Sequence, residues 1–287
     1  MRGANHSISV IVPSKNEAPS IEPLVARLAG ALNGSTAEVI FADDSTDDTP
    51  KVIKQVAETA PFPVVCLHRP PGQRTGGLGG AVLAGLRAST GDVAVVMDGD
   101  LQHPPETVPK MVRALDEQSV DVVLGSRYAD GGNANGLSNQ GRRSISRGAT
   151  DVARALFPRR LAKVSDPMSG FFALRMAALD VDCLHPMGFK IFLEIILRNT
   201  KLRIGEVGFP FAPRFGGESK AGLREGMRFL MHIFRLRLST LARRPSGKMP
   251  VARMAVLNTP LATAPREPGV VNGTNGSSDR LADDVAV

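Results

Sequence analysis

The stretch "VVMDGDLQHPPE", Val95 to Glu106, runs an apolar segment straight into two aspartates separated by one glycine. The apolar residues belong inside a sheet, so Asp98 and Asp100 stand where the strand ends. Such a pair suits a hard divalent cation, because the short turn brings carboxylate oxygens to one point while substrate phosphates complete the shell. For an isolated Asp-Gly-Asp a solvated turn is the plainer reading, but the following residues reverse the preference. Gln102 supplies a further oxygen, and Pro104, Pro105 and Glu106 open a helix. His103 reads as a supporting residue rather than a ligand, since magnesium and manganese prefer oxygen donors.

Working outward, "ISVIVP", "EVIFADD", "VVCLHR", "DVAVVMDGD" and "VDVVLGSR" are short β-branched runs. They alternate with segments of helical spacing such as Ile21, Leu24, Leu28 and Leu32. The alternation predicts an α/β fold, a mainly parallel sheet flanked by helices. The strands are continuously apolar, as expected when helices cover both faces. In such sheets ligands gather beyond the carboxyl ends of the strands. Those ends carry Pro13, Asp43 with Asp44, Asp98 with Asp100, and Arg127.

Beyond Arg127 the pattern changes to loops and helices, including a basic helix from about Arg142. From Leu223 to Arg244 a stripe of Met227, Leu230, Met231, Phe234, Leu238 and Leu241 is interleaved with arginines, which predicts a basic amphipathic helix on a membrane surface. A core helix explains the first turns nearly as well. After Pro245 periodicity is lost and Pro, Gly, Ser, Asn and Thr accumulate, so 245–287 is expected to be a disordered tail. The expected division is therefore 1–222, 223–244 and 245–287.

The chain has 287 residues, 43% of them apolar, enough for a sizeable core, and a formal net charge of +7 that points to an anionic partner. With one tyrosine and no tryptophan it lacks the interleaved aromatics of a single-strand nucleic-acid binder. The two cysteines lie far apart, the first apolar run is too short for a cleavable signal, and no run approaches the ~20 apolar residues that span a bilayer. A reducing, cytoplasmic setting with peripheral membrane contact is expected.

"FADDSTDDTPKVI" sets Asp43 and Asp44 on a second strand end, where they can accept hydrogen bonds from a base or ribose. "GGLGGAVLAG" fails the dinucleotide fingerprint at Val82, so its glycines are read as loop freedom and close helix packing.

Taken in order, "VIVPSKNE", "FADDSTDDTP", "MDGDLQHPPE", "GSRY", "DPMSGFFALR", "GFKIFLEIILR" and "RFGGESK" resemble the family-2 glycosyltransferases that make polyprenyl-phosphate sugars, especially dolichol-phosphate mannose synthases. The likeness covers about residues 7 to 222. It implies a GT-A fold and inverting, metal-dependent transfer of a hexose, foremost mannose from GDP-mannose, to a polyprenyl or dolichyl phosphate. Matched residue by residue, Asp98, Asp100 and Gln102 correspond to the Mg2+ or Mn2+ and donor-phosphate motif. Pro13, Glu17, Asp43 and Asp44 correspond to the nucleotide pocket. Arg127, Arg142, Ser146, Arg214 and Lys220 correspond to phosphate-holding positions, with Asp98, Asp100, Arg127 and Arg214 as the catalytic set. "DDT" stands where relatives have "DGT", and the transmembrane helices of many relatives are not matched, which moves anchoring onto the amphipathic helix.

Two other classes compete. A sugar-1-phosphate nucleotidyltransferase would want a Gly-rich loop with lysine after the first strand, which "VIVPSKNE" lacks. A non-catalytic basic lipid-binding protein explains the charge but not carboxylates at three strand ends. A UDP-glucose-dependent polyprenyl-phosphate glucosyltransferase is the alternative within the same reaction class.

Overall fold

The structure is a computed structural model and describes residues 5–133, 148, 150–212 and 231–238. Residues 251–287 separate from Met1–Pro250 as a second unit and lie outside the described residues, as does the whole of the expected tail from 245.

Seven strands form one sheet: β1 (Ile8–Ser14), β2 (Ala37–Asp43), β3 (Val64–His68), β4 (Val93–Val96), β5 (Val122–Ser126), β6 (Phe172–Arg175) and β7 (Ile204–Gly208). Their order is β3-β2-β1-β4-β6-β5-β7. All neighbours run parallel except β6, which is antiparallel to both β4 and β5. Every residue of β1 is buried, the consequence of helices on both faces of a central strand. Register follows from this: Val12 lies beside Phe41 and Ile11 beside Val96.

One face is covered by α1 (Ala18–Ala31), α2 (Thr49–Ala57) and α4 (Val108–Glu117). In α1 the residues Ile21, Leu24, Val25 and Leu28 are buried, at the spacing that puts apolar side chains on one helical stripe. Each fully buried side chain of this size contributes roughly 1.5–3 kcal/mol. The opposite face carries α3 (Gly77–Ala88), α5 (Ile191–Arg198) and the turns of residues 231–238, whose Ile233 and Leu236 join the core.

The expected alternation holds through β5. The segment after Arg127 is not only loop and helix, since it holds β6 and β7. β6 is four residues long, and β7 reads IGEVG with two glycines; neither offers the run of β-branched residues that marks a strand. Of the basic helix expected from about Arg142, the described part is residues 148 and 150–156, which are helical. Most of 223–244 lies outside the described residues.

Helix α3 packs so closely on β1 that a Cβ on Gly85 would run into the Ile11 side chain, whereas Gly30, exposed in α1, has open space around it. Opposite signs are expected. Gly30→Ala should stabilise by about 0.5–1 kcal/mol, as alanine replaces glycine in a helix, and Gly85→Ala should destabilise by about 1–3 kcal/mol through overpacking. Urea midpoints at unchanged slope measure both.

Candidate active site

Strand order reverses at β1, with β2 and β3 on one side and β4 on the other, and this places a crevice beyond the carboxyl ends of β1 and β4. Pro13 of β1 and Asp98, two residues past β4, line one cavity of about 140 Å³ together with His103, Arg127 and Lys190. The Met97 amide still donates to the Ile11 carbonyl at 3.1 Å, so the two strand ends are fixed to one another. Glu17 faces the same turn: a Cβ on Gly99 would lie 3.8 Å from its Oε2. Asp100 is buried, and its Oδ1 accepts from the Gln102 amide at 3.1 Å. Leu101 between them takes a φ of 63°, a left-handed conformation costly for a branched side chain. Its buried side chain anchors the turn.

His103 holds this turn from below. The Asp98 amide donates to His103 Nδ1 at 2.9 Å, and the ring stacks on Phe171 with centroids 4.9 Å apart. Burial pushes its imidazole down to about 4, against a weaker upward pull from Asp100. Near neutrality the ring is therefore uncharged, with Nδ1 serving as an acceptor.

Arg127 follows β5 directly and is gripped by Asp166, with Nε to Oδ2 at 2.7 Å and a second guanidinium nitrogen to Oδ1 at 2.9 Å. Asp166 is buried to 1% exposure. Burial alone would lower the Arg127 guanidinium, but the Asp166 fork outweighs it and holds it above its ordinary value. Lys190, just ahead of α5, donates to the Met168 carbonyl at 2.6 Å. Burial, then the charge of Arg127, pulls its amine down to about 8. The cavity wall thus presents two cations facing Asp98.

On the β2 side Asp43 is fully enclosed, accepting from Ser14 Oγ at 2.9 Å and Ser45 Oγ at 2.5 Å, with His68 Nδ1 at 2.7 Å. Asp44 accepts a two-pronged bond from Arg69, at 2.8 and 2.6 Å, and Arg69 also donates to the Gly77 carbonyl at 3.0 Å. The loops after β1 and β2 are stitched together as well: the Asn16 amide donates to Ser45 Oγ, and the Glu17 amide to Thr49 Oγ1.

Pro13, Glu17, Asp98, Asp100, Gln102 and Arg127 thus gather around the β1–β4 crevice, with Asp43 and Asp44 on the neighbouring strand end. Arg142, Ser146, Arg214 and Lys220 lie outside the described residues. Three residues were not singled out from sequence: Asp166, Arg69 and Lys190. Asp166 and Lys190 sit in "DPMSG" and "GFKIFLE", motifs whose order was noted without a role for each residue. A larger cleft of about 690 Å³ lies around Arg27, Glu106, Lys110 and Phe211 but contains none of the strand-end carboxylates, so the chemistry belongs to the smaller one.

The described residues hold no group of three His, Cys, Asp or Glu able to bind a metal by themselves. Two carboxylates at one turn, with the Asp98 side chain 39% exposed, fit instead a hard cation whose remaining ligands arrive with an anionic substrate. Facing cations suit the same substrate, because a forked arginine offers planar, charge-assisted bonds to phosphate oxygens.

Residues 9–182 match the model of the family described as Glycosyl transferase family 2. The chain is 39% identical over 230 residues to a dolichol-phosphate mannosyltransferase of Pyrococcus furiosus, covering 80% of this chain and 63% of that protein. This chain therefore spans less than two thirds of that relative's length. A dolichol-phosphate mannosyltransferase of Saccharomyces cerevisiae is 36% identical over 237 residues, covering 78% of this chain and 85% of its own. Among solved structures, glucosyl-3-phosphoglycerate synthase from Mycobacterium tuberculosis, in complex with Mn2+, UDP-Glc and glycerol 3-phosphate, superposes with a TM-score of 0.60. It is 23% identical and covers 85% of this chain and 83% of its own, a likeness of fold.

The low-lying His103 sets a pH dependence. Its folded value of about 4 is below the ordinary 6.5, so its contribution is full above 6.5 and is lost as pH falls toward 4, by roughly 3 kcal/mol in all. Denaturation across that range should show this loss, and His103→Asn, which keeps an acceptor for the Asp98 amide without a titrating ring, should flatten it.

Proposed function

The chain belongs to glycosyl transferase family 2 and is a glycosyltransferase; from that premise we propose that it transfers mannose from GDP-mannose to a polyprenyl phosphate of the dolichyl type, with inversion. The observation that carries this reading is the meeting of Asp98 with Arg127 and Lys190 in one cavity at the β1–β4 crevice, Asp100 lying buried in the same turn as Asp98, in a chain 36% identical to a mannosyltransferase of that kind over most of both lengths.

Asp98, Asp100 and Gln102 would hold a divalent cation, Mg2+ or Mn2+, which when bound offsets the charge of the donor diphosphate. Pro13, Glu17 and Asp44 form the nucleoside side, Asp43 backing them from the sheet and Arg69 fixing Asp44. The bond that forms joins an acceptor phosphate oxygen to the anomeric carbon, and the bond that breaks releases the nucleoside diphosphate with its electron pair. A phosphate monoester has its second pKa near ~6, so the attacking oxygen is already ionised at neutral pH. No strong base is then required. His103, uncharged and occupied by the Asp98 amide, supports the turn rather than moving a proton. Arg127 holds phosphate; Arg142, Ser146, Arg214 and Lys220, outside the described residues, are assigned to phosphate from the sequence match, Arg214 to the acceptor. Catalysis is then alignment plus charge stabilisation.

Access to a lipid acceptor follows from the helix of residues 231–238. Met231, Phe234 and Leu238 are 52%, 63% and 56% exposed while Ile233 and Leu236 on the other side are buried. Arg235 and Arg237 are also exposed. Among the described residues no helix is long and apolar enough to cross a membrane. On its own pattern of apolar and basic residues we assign this stripe to peripheral contact with the inner membrane face, basic residues meeting anionic headgroups.

A donor panel tests the activity: purified protein, a polyprenyl phosphate, Mg2+ or Mn2+, and labelled GDP-mannose or UDP-glucose. Product should come from GDP-mannose, and folded Asp100→Ala should lose at least about 100-fold in kcat. Preferred turnover of UDP-glucose would overturn the donor assignment.

Membrane contact is tested by sedimentation with anionic vesicles. Binding should fall with salt and with Arg235→Glu plus Arg237→Glu, each charge contributing on the order of 1 kcal/mol, while nucleotide binding persists. Indifference to vesicles at low salt would refute it.

A further inference from the structure

Glu194, in the middle of α5, is fully buried. Its Oε1 accepts from the His185 amide and from Arg198 Nε, both at 2.7 Å. Its Oε2 has no hydrogen-bond partner among the described residues and faces His232 Nε2 at 3.5 Å. His232 is itself buried, on the helix of residues 231–238. A buried carboxylate oxygen left without a bond is uncommon and calls for a reason. The glycosyl-transfer scheme uses neither residue.

The reason lies in what the carboxylate joins. His185 begins the segment that leads to Phe189 and Lys190 in the wall of the Asp98 cavity. Along that segment Gly188 accepts from the Gly79 amide at 2.6 Å and donates to the Gly76 carbonyl at 3.1 Å, which fixes its far side to α3. Its near side is fixed by Glu194. The helix of residues 231–238 meets the same segment a second time, through Arg235 to the Met187 sulfur at 3.2 Å. That helix carries the apolar stripe on its outer face, and His232 on its inner face reaches Glu194. One carboxylate thus stands between the outer stripe and the cavity.

We propose that Glu194 is a positioning residue that fastens the cavity wall, residues 185–190, to the helix of residues 231–238, so that order at the outer stripe and order beside Asp98 rise and fall together. Burial holds the His232 imidazole below its usual value, with Glu194 pulling the other way. At 3.5 Å the carboxylate and the ring are close enough to tighten by a small shift. Small displacements matter at such a wall, since an error near 1 Å in positioning costs about 100-fold in rate. The kinetic half of the inference rests on the proposed transfer reaction; the structural half does not.

The full chain is tested in three variants. Glu194→Met keeps the bulk and removes both acceptors. Glu194→Gln keeps a carbonyl oxygen for the His185 amide and an amide to face His232. His232→Phe removes the helix side alone. Amide exchange is followed in peptides covering 184–190 and 231–238, with β1 and β2 peptides as the check on global stability, and the GDP-mannose KM is measured alongside. His232→Phe and Glu194→Met should speed exchange in both segments, leave β1 and β2 at wild-type rates, and raise KM about tenfold with a smaller change in kcat. Glu194→Gln should stay within about twofold of wild type in KM. Loosening of 231–238 in His232→Phe while 184–190 and KM keep their wild-type values would overturn the proposal, as would Glu194→Gln behaving like Glu194→Met. Should Glu194→Met fail to fold, the other two variants decide. Should the wild type ignore GDP-mannose, the transfer reading fails and the exchange data alone judge the junction.

Discussion

The direction of one short strand organises the site. Among the described strands β6 alone runs against its neighbours, lying between β4 and β5. An antiparallel strand begins at the edge where parallel strands end, so the residues just before Phe172 arrive at the carboxyl ends of β4 and β5. Those residues are Asp166, which grips Arg127, and Gly170, where a Cβ would lie 3.4 Å from Asp98 Oδ1. Were β6 parallel, the segment from 166 to 170 would enter at the opposite edge of the sheet, and Arg127 would face Asp98 with no carboxylate behind it.

The charges around this edge are arranged in tiers. Asp98 is partly exposed to the cavity, while Asp100, Asp166, Asp43 and Asp44 are buried. Of these, Asp166 and Asp44 are each met by a forked arginine, and Asp43 by two hydroxyls and an imidazole. Such burial is tolerable only with bonds of this quality, because an ion pair in low dielectric must recover its lost hydration through geometry. The result is a rim whose acids and bases are held in place before any ligand arrives. Rigid placement is the property that lets a site stabilise developing charge without first rearranging itself.

The parallel half of the sheet was legible because its strands are continuous β-branched runs whose carboxyl ends bear the polar residues. Asp98, Asp100, Pro13 and Arg127 could be named from that pattern alone. Less legible was everything that depends on β6 and β7, one only four residues long and the other bearing two glycines. Asp166 and Lys190 were hidden for the same reason. An aspartate before a proline reads as a turn, and only the reversed strand brings it against Arg127. Arg69 closes the run "VVCLHR", for which no role was read at its last residue. Its fork to Asp44 and its bond to the Gly77 carbonyl come from the pairing of β3 with β2 and the return of the chain into α3, which no local pattern encodes. The close packing of the glycine segment was foreseen, though not its partner: a Cβ on Gly79 would sit 2.8 Å from Pro186 Cβ.

The insertion of β6 also constrains the order in which the molecule can assemble. Among the described residues β5 pairs only with β6 and β7, and the outer edge of β4 is covered only by β6. A ribosome that has delivered the chain through Ser126 has supplied every strand of β3-β2-β1-β4 and one further strand, β5, whose two partners are still to come. About 45 further residues must emerge before Phe172–Arg175 bridges the two, and throughout that interval β4 offers a bare, apolar edge of the kind that recruits other chains.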